Sequence, residues 1–380
     1  MSDSTVVVAG LWARPLAESA RQAGWRVIAL DLFGDADTRR ASIHWESIGD
    51  ASSFTIVPAL VAPALQRAAG RPGVIGWIAG GGIEAHPELL ELGIPGLPLL
   101  GMSAAAVRRV REPRSFFLLL DQLGLQHPEV TFERPAQLHG WLHKNASGSG
   151  GWHIRAASAA EPAGAADYYQ RLQPGVPMSA LFLADGQGFR LVGLNRLIVR
   201  PLGQLPFVYH GALGPIADDA LRAQLQHALE QLVPALALRG LASLDFMAHE
   251  GRAWLLEINP RPSATMLLHA QAWPGGLLQA HVRAVGGALP DAPPAHAPGL
   301  RGCLTVYAPE DCQVTPALAA ALARSPDCHD LPAPHTRFAA GEPVCNVSAS
   351  ADHADALLAA LERRAAEVCH ALLSPEEFAA

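Results

Sequence analysis

The sequence contains almost no lysine. Lys144 is the only lysine among 380 residues, so arginine supplies every other permanently basic side chain. Lys and Arg together number 28 against 35 Asp and Glu, which gives a formal net charge of −7. This balance provides no basic footprint for nucleic acid or for an anionic membrane, so neither partner is expected. An anion must be held by a local site, and a compact lysine ammonium group suits phosphate oxygens.

Cysteine is also scarce. The five cysteines all lie in the last quarter of the chain, are odd in number and form no C-x-x-C pair. This usage favours reduced thiols over a disulfide or zinc framework. Cys328, His329 and His335 lie near one another, but they lack the paired ligand spacing that is typical of a zinc site.

Long apolar runs are missing as well. No run approaches the roughly 18 residues that a membrane-spanning helix needs, and the N-terminus has an acidic residue where a signal peptide would be basic. We therefore expect a cytoplasmic protein. With 50% hydrophobic and 17% charged residues, the chain is too apolar to be disordered, and its length predicts several packed domains.

The N-terminal segment alternates between strand and helix patterns. An apolar strand at Thr5–Ala9, an amphipathic helix at 15–23 and a second strand at 25–30 predict a parallel sheet. Asp31 follows at the distance expected of a dinucleotide site, but the first loop lacks G-x-G-x-x-G, which excludes that function.

The pattern continues with strands at 53–57 and 74–79 around a helix at 61–69. Three glycines and Glu84 then follow the second of these strands. Ligands approach parallel sheets at this end of a strand, so both a substrate contact and a simple turn remain open at 80–84.

Lys144 precedes a loop rich in glycine and serine, after a predicted helix at 135–142. The loop residues are Ser147, Gly148, Ser149, Gly150 and Gly151. Such a loop can fold its N–H groups over phosphates. It is not a Walker A loop, because the lysine comes before the glycines, and a hairpin without a ligand is the alternative.

The most informative stretch follows a predicted long helix at 217–239. It predicts two antiparallel strands around a turn at 249–251, with Asp245 and Glu257 on opposite strands. Asn259 and Arg261 share the face of Glu257, because side chains alternate along a strand. Oxygen ligands without Cys or His suit Mg²⁺, and Arg261 adds a guanidinium for a phosphoryl group or a carboxylate.

The order of a lysine, a Gly/Ser loop, a hinge strand and Asp…Glu-x-Asn-x-Arg resembles the ATP-grasp superfamily. Within it the chain is most similar to the predicted ATP-dependent carboligases related to biotin carboxylase and to carboxylate–amine ligases. The resemblance implies an α/β (α+β) ATP-grasp fold with three parts. These are a Rossmann-like pre-grasp domain at 1–110, an ATP-grasp domain at 111–295 with a lid at about 128–185, and a β-rich biotin-carboxylase-like domain at 296–380.

The resemblance also assigns roles to residues. Lys144 would bind phosphate, the loop at 147–151 would close over the triphosphate, and Arg261 would orient the substrate and the acyl phosphate, with help from Arg200 or, less well placed, Arg196. The residues implied for the adenine hinge are Gln170, Arg171 and Leu172, and those implied for Mg²⁺ or Mn²⁺ are Asp245, Glu257 and Asn259.

Two positions depart from the family pattern. Arg114 stands where relatives often have a second phosphate-binding lysine, and Pro177 where they often have a ribose-binding glutamate.

The implied activity is an ADP-forming ligase that activates a carboxylate as an acyl phosphate and couples it to an amine, in cofactor biosynthesis by analogy. Its ligands would be ATP, magnesium and two small molecules, and a homodimer is expected by the same analogy. The acceptor pocket would lie between 80–84, His210 and Arg261. The alternatives are a carboxylase that activates bicarbonate and a regulatory protein that binds ATP without consuming it.

Overall fold

The structure is a computed structural model that describes residues 4–158, 164, 166–273, 275–291 and 299–374. The boundary expected at 295–296 lies outside these residues. The strands of the described residues are β1 (Thr5–Ala9), β2 (Arg26–Asp31), β3 (His44–Ser47), β4 (Gly49–Asp50), β5 (Thr55–Ile56), β6 (Val74–Ala79), β7 (Val130–Thr131), β8 (Trp141–Asn145), β9 (Arg155–Ala156), β10 (Asp167–Arg171), β11 (Val176–Asp185), β12 (Phe189–Leu202), β13 (Leu205–Ile216), β14 (Arg239–His249), β15 (Arg252–Asn259), β16 (Leu300–Tyr307), β17 (Cys312–Gln313), β18 (Cys328–His329), β19 (Arg337–Phe338) and β20 (Pro343–Ala351).

Among the described residues the helices are fewer than the strands. Those of the described residues are α1 (Arg14–Gln22), α2 (Ala36–Ala41), α3 (Pro58–Ala69), α4 (Ala104–Arg111), α5 (Pro113–Gln122), α6 (Asp219–Leu236), α7 (Leu277–Val285), α8 (Pro316–Arg324) and α9 (Ala354–Leu373). Short 3₁₀ segments occupy Ile83–Ala85, Pro87–Glu91 and Ala264–Ala272. None of the described helices has both the length and the apolar character needed to span a membrane.

Three larger sheets organise the chain. The first is parallel, with strand order β3-β2-β1-β6, as the alternating N-terminal pattern predicts. The second is an antiparallel sheet of order β7-β10-β8-β9, and it carries Lys144 on β8. The third has eight strands in the order β15-β14-β11-β12-β13-β16-β20-β18, so the C-terminal strands extend the same sheet that holds the 239–259 hairpin.

The eight-stranded sheet is buried on both faces near β11. Ala180 and Phe182 pack against the leucine face of α6, whereas Leu181 and Leu183 pack against α1 and α7. Alternation along the strand sends successive side chains to these two layers. Leu244 and Phe246 belong to the layer that packs against α6, so Asp245 between them faces the opposite side of the sheet, the side of α1. The hairpin therefore presents its charged residues toward the N-terminal sheet.

Local sequence explains where the main helices begin and end. The Asp218 side chain caps the start of α6 by accepting a hydrogen bond from the Leu221 amide at 2.9 Å. At the other end, Ala237 directly follows the helix and adopts the left-handed conformation. The helix expected at 135–142 is absent, and turns leading into β8 replace it. Pro135 and a left-handed Gly140 lie in that segment, and both are poor helix formers.

A buried ionic cluster joins the N-terminal sheet to the C-terminal strands. Arg14 is 4% exposed and donates to Asp330 through Nε at 2.7 Å and through Nη2 at 3.0 Å. Asp37 accepts from the amides of Asp330 at 2.7 Å and of Leu331 at 3.0 Å. Burial opposes ionisation of Asp330, but the Arg14 guanidinium outweighs it and holds the pKa of that carboxyl below its usual range.

We expect Asp330→Asn to lower the free energy of unfolding by about 3 kcal/mol, because it leaves the buried Arg14 charge poorly matched. Urea unfolding at neutral pH measures the loss. The matched control is Asp327→Asn, which breaks the half-exposed Arg364–Asp327 pair at 2.7 Å and should cost under about 1 kcal/mol. Equal losses in the two variants would contradict the structural role given to Arg14.

Candidate nucleotide and metal site

The hairpin of β14 and β15 places two carboxylates next to each other. Asp245 lies directly opposite Glu257 in the strand register, and a register shift follows at Phe246. Asn259 lies opposite Ser243, and its Nδ2 donates to Asp245 Oδ2 at 3.0 Å. The two carboxylates and the amide predicted from sequence thus meet on one face of the hairpin.

The electrostatics of this group point to a cation. Burial and the neighbouring Glu257 carboxylate raise the pKa of Asp245 to about 7, against the opposing effects of Arg261 and Asn259. A divalent cation would relieve this repulsion, and carboxylate and amide oxygens are ligands that Mg²⁺ and Mn²⁺ accept. Among the described residues no three His, Cys, Asp or Glu side chains are grouped to hold a metal, so the set fits only with Asn259 as the third ligand.

Lys144 lies in the wall facing this group. Its side chain is 4% exposed, and Nζ donates to Gln170 Oε1 at 3.1 Å from the adjacent strand β10. Burial alone would lower the pKa of Lys144, but Tyr168 and the carboxylates of Glu257 and Asp245 outweigh it, so the pKa lies above its usual value. The ammonium group therefore stays charged and fixed in direction, as binding a phosphate requires.

The Gly/Ser loop after Lys144 lies against β13. The Gly150 carbonyl accepts from the Tyr209 amide at 3.0 Å. Gly151 has φ +80°, and a Cβ there would come within 1.8 Å of the Phe207 carbonyl oxygen. From the other side, Arg111 Nη2 donates to the Gly148 carbonyl at 2.9 Å. The loop therefore occupies a closed position that only glycine permits at residue 151.

Arg261 is held by an acid from the N-terminal sheet. Its Nε donates to Glu84 Oε1 at 2.9 Å, and a Cβ on Gly81 would lie 3.5 Å from the same nitrogen. Burial would raise the pKa of Glu84, but Arg261 outweighs it and holds that pKa below its usual range. Glu84 Oε2 has no hydrogen-bond partner within the described part of the chain. The pair fixes the guanidinium beside Asp245 and Glu257.

One cavity of about 1570 Å³ collects these groups. It lies between the N-terminal sheet, the Lys144 sheet and the eight-stranded sheet. The site residues predicted from sequence that line it are Lys144, Ser147, Gly148, Ser149, Gly150, Gly151, Gln170, Arg171, Leu172, Asp245, Glu257, Asn259 and Arg261.

Comparison with known proteins identifies the fold. Residues 114–265 match the ATP-grasp domain family. Biotin carboxylase from Campylobacter jejuni, solved with β,γ-ATP, superposes with a TM-score of 0.70 at 13% identity, over 94% of this chain and 89% of that one. The N5-carboxyaminoimidazole ribonucleotide synthetase of Thermus thermophilus superposes with a TM-score of 0.65 at 19% identity, over 94% and 97%.

A third similar structure was solved with ligands bound. The biotin carboxylase domain dimer of 2-oxoglutarate carboxylase from Hydrogenobacter thermophilus, in complex with MgADP, ADP and bicarbonate, superposes with a TM-score of 0.69 at 12% identity, over 93% of this chain and 87% of that one. The chain has the ATP-grasp fold, and its residues 114–265 belong to the ATP-grasp domain family. This confirms the family and the fold class expected from the sequence.

In the segment expected from sequence to form the adenine hinge, two backbone amides already donate hydrogen bonds within the chain. The Leu172 amide donates to the Gly140 carbonyl at 2.9 Å, and the Arg171 amide to Glu129 at 2.8 Å. The Arg171 guanidinium lies over the Trp141 ring at 5.4 Å. We therefore expect this segment to contact a base through carbonyl oxygens and the Leu172 side chain.

Two predicted arginines lie outside the cavity. Leu197 and Val199 line the cavity, so Arg200 lies on the other face of β12. There its Nη2 donates a hydrogen bond to Glu362 on α9 at 2.6 Å. The Arg114 guanidinium lies 4.2 Å from the Phe132 ring centre. Neither side chain therefore contributes to the cavity wall that carries Lys144 and Asp245. Arg196 is an exposed residue of the same strand.

Sequence reasoning missed two contributors, Arg111 on the loop carbonyls and Gln170 as a hydrogen-bond partner of Lys144. Arg111 is one of several arginines in R-R-V-R-E-P-R, and nothing in that run distinguishes it. His210, expected at the acceptor pocket, instead packs on Tyr307 with ring centres 4.7 Å apart.

Gly151→Ala should raise the KM for ATP by about tenfold or more, because the added Cβ displaces the loop from the Phe207 carbonyl. Steady-state kinetics with MgATP as the varied substrate measures the change. Gly251→Ala is the matched control, since Gly251 has φ +72° but open space around it. The closed loop would not be the binding conformation if the two variants gave the same KM.

Proposed function

We propose that the protein is an ADP-forming ligase that activates a carboxylate as an acyl phosphate and couples it to an amine. The observation that carries this proposal is the convergence of Lys144, the Asp245, Glu257 and Asn259 group, and Arg261 in one cavity. Each of the three contributes a different charge or ligand type, and phosphoryl transfer needs all of them together.

The metal-binding part fits magnesium. Asp245 and Glu257 would hold the ion with Asn259, since these oxygens are adjacent and their mutual repulsion calls for a cation. When bound, magnesium supplies charge compensation for the nucleotide phosphates.

The chain's own residues position the reacting groups. Lys144 offsets negative charge on the phosphates, and its hydrogen bond to Gln170 limits its movement. The loop at 147–151 covers the triphosphate and excludes water. Arg261, oriented by Glu84, is placed to bind the carboxylate substrate and the acyl phosphate made from it.

The proposed reaction has two balanced steps. A carboxylate oxygen attacks the γ-phosphorus of ATP, the bond from that phosphorus to the bridging oxygen breaks, and ADP leaves with the electron pair. The amine nitrogen then attacks the acyl carbon, the bond from that carbon to the phosphate oxygen breaks, and the nitrogen loses a proton. The products are an amide, ADP and inorganic phosphate.

The direct test is ADP release from MgATP with pooled small carboxylates and amines. We expect release that depends on the pool, and a loss on the order of 10²-fold or more in kcat for Lys144→Met and for Glu257→Gln. Glu250→Gln is the matched control, because Glu250 lies in the turn of the same hairpin with its side chain 83% exposed. Tight ATP binding without turnover in any pool would contradict the proposal and favour a regulatory protein.

A second candidate is a carboxylase that activates bicarbonate. The fold shared with the Hydrogenobacter thermophilus domain favours it, since that domain was solved with bicarbonate. Bicarbonate added alone distinguishes the two candidates. ATP hydrolysis that depends on bicarbonate supports the carboxylase, whereas hydrolysis that needs another carboxylate supports the amide ligase.

A further inference from the structure

Aromatic residues make up only 6% of the chain, yet several form a continuous row that runs across the cavity from the N-terminal part of the chain to β16. The ring centres of Trp12 and Phe33 are 5.6 Å apart, and those of Phe33 and Phe54 are 5.7 Å apart. The row continues through Trp152, 6.4 Å from Phe54, to Tyr307, 6.3 Å from Trp152. All five residues line the cavity, and we call them the aromatic row.

The row is not fully packed. Trp12 remains 40% exposed and Trp152 41% exposed, so ring surface remains uncovered at both of these members. Burying aromatic surface against another ring is favourable, and stacking adds to the gain from area alone. The uncovered rings therefore suit a ligand with a planar apolar body.

The row starts beside the proposed reaction site. Trp12 follows Leu11, whose amide donates to the Gly81 carbonyl at 2.7 Å. Gly81 in turn lies against the Arg261 guanidinium. Trp152 directly follows the loop that closes over the phosphates. A ligand on the row would thus lie next to the groups that would hold the acyl phosphate.

The cavity that holds the rings is also lined by an acid without a side-chain partner among the described residues. Asp35 is two residues beyond Phe33 and lines the cavity together with Glu18. The Asp35 carboxylate makes no hydrogen bond or ion pair with the described residues, whereas Glu18 pairs with Arg14 at 2.8 Å. Arg14 also pairs with Asp330 at 2.7 Å, so its positive charge is already paired with two other carboxylates.

The surroundings of Asp35 are strongly negative. Burial raises the pKa of Asp35 well above its ordinary value, and Asp330, Asp31 and Asp37 add to the effect while Arg14 opposes it. A cation placed at this carboxylate would therefore gain from several acids together. Rings and carboxylates on one wall are complementary to an organic ammonium ion, because ring faces also attract cations.

We propose that the aromatic row and Asp35 form the subsite for the amine substrate, and that this amine carries an aromatic ring. The ring stacks on Trp12 and Phe33, and the ammonium group pairs with Asp35. This inference rests on the proposed ligase function, because it assigns the second substrate of that reaction.

Calorimetric titration tests the subsite without turnover. The protein, saturated with MgADP, is titrated with phenethylamine, with 2-cyclohexylethylamine, which has the same charge and a saturated ring, and with 2-phenylethanol, which has the same ring and no charge. We expect phenethylamine to bind about tenfold more tightly than either analogue. Equal affinities, or no binding of phenethylamine, would overturn the proposal.

Two variants test the ring contact and the charge contact of the ligand separately. Trp12→Leu should abolish the preference for phenethylamine over its cyclohexyl analogue, and Asp35→Asn should abolish the preference over the alcohol. Both should keep the wild-type affinity for MgADP. Asp291→Asn, at an exposed acid, is the control and should change neither preference.

Other outcomes contradict the subsite in a recognisable way. If Trp12→Leu weakens MgADP binding and leaves the ring preference unchanged, the row is a contact between parts of the fold and the proposal fails. If MgADP binds and turnover occurs but no ring preference exists, only the amine subsite is overturned. If the protein neither binds nor consumes ATP, the ligase function itself fails.

Discussion

The candidate site depends on the antiparallel pairing of β14 with β15, which places Asp245 opposite Glu257. The two adjacent carboxylates repel each other, and burial together with this repulsion raises the pKa of Asp245. A bound cation would offset the repulsion. Lys144 from the β8 sheet and Arg261 from the loop after β15 then complete the balance of charge.

The location of the cavity follows from how the sheets meet. The eight-stranded sheet sends its apolar side chains to α6 on one face and to α1 and α7 on the other. The charged end of the hairpin therefore faces the N-terminal sheet, where Glu84 reaches Arg261. The Arg14–Asp330 contact ties that sheet to the C-terminal strands. Each part of the chain thus contributes one wall of the same cavity.

Much of the fold and of the candidate site could be predicted from short-range sequence patterns. The alternation of apolar and polar residues predicts the first parallel strands and the hairpin, and the placement of Asp245, Glu257 and Asn259 on one face follows from strand geometry alone. Lys144 is recognisable because it is the only lysine beside a Gly/Ser loop. The long capped helix α6 is also predictable from its pattern.

Contacts between distant segments could not be derived in this way. Glu84 and Arg261 are 177 positions apart, and only the packing of two sheets brings them together. The face taken by Arg200 depends on the register of β12, which shifts at Ile198 and again beyond Arg200. The aromatic row draws on loops of two regions and on Tyr307 at the end of β16, and none of these has a distinctive pattern alone. Pro135 and Gly140 prevented the helix expected before Lys144.

A crystal structure with Mg²⁺ and a non-hydrolysable ATP analogue would show directly where the nucleotide and the metal bind. We expect a metal ion bound by Asp245, Glu257 and Asn259, with Lys144 on a phosphate oxygen and the loop at 147–151 over the triphosphate. A nucleotide bound elsewhere, or a metal held by other side chains, would contradict this expectation.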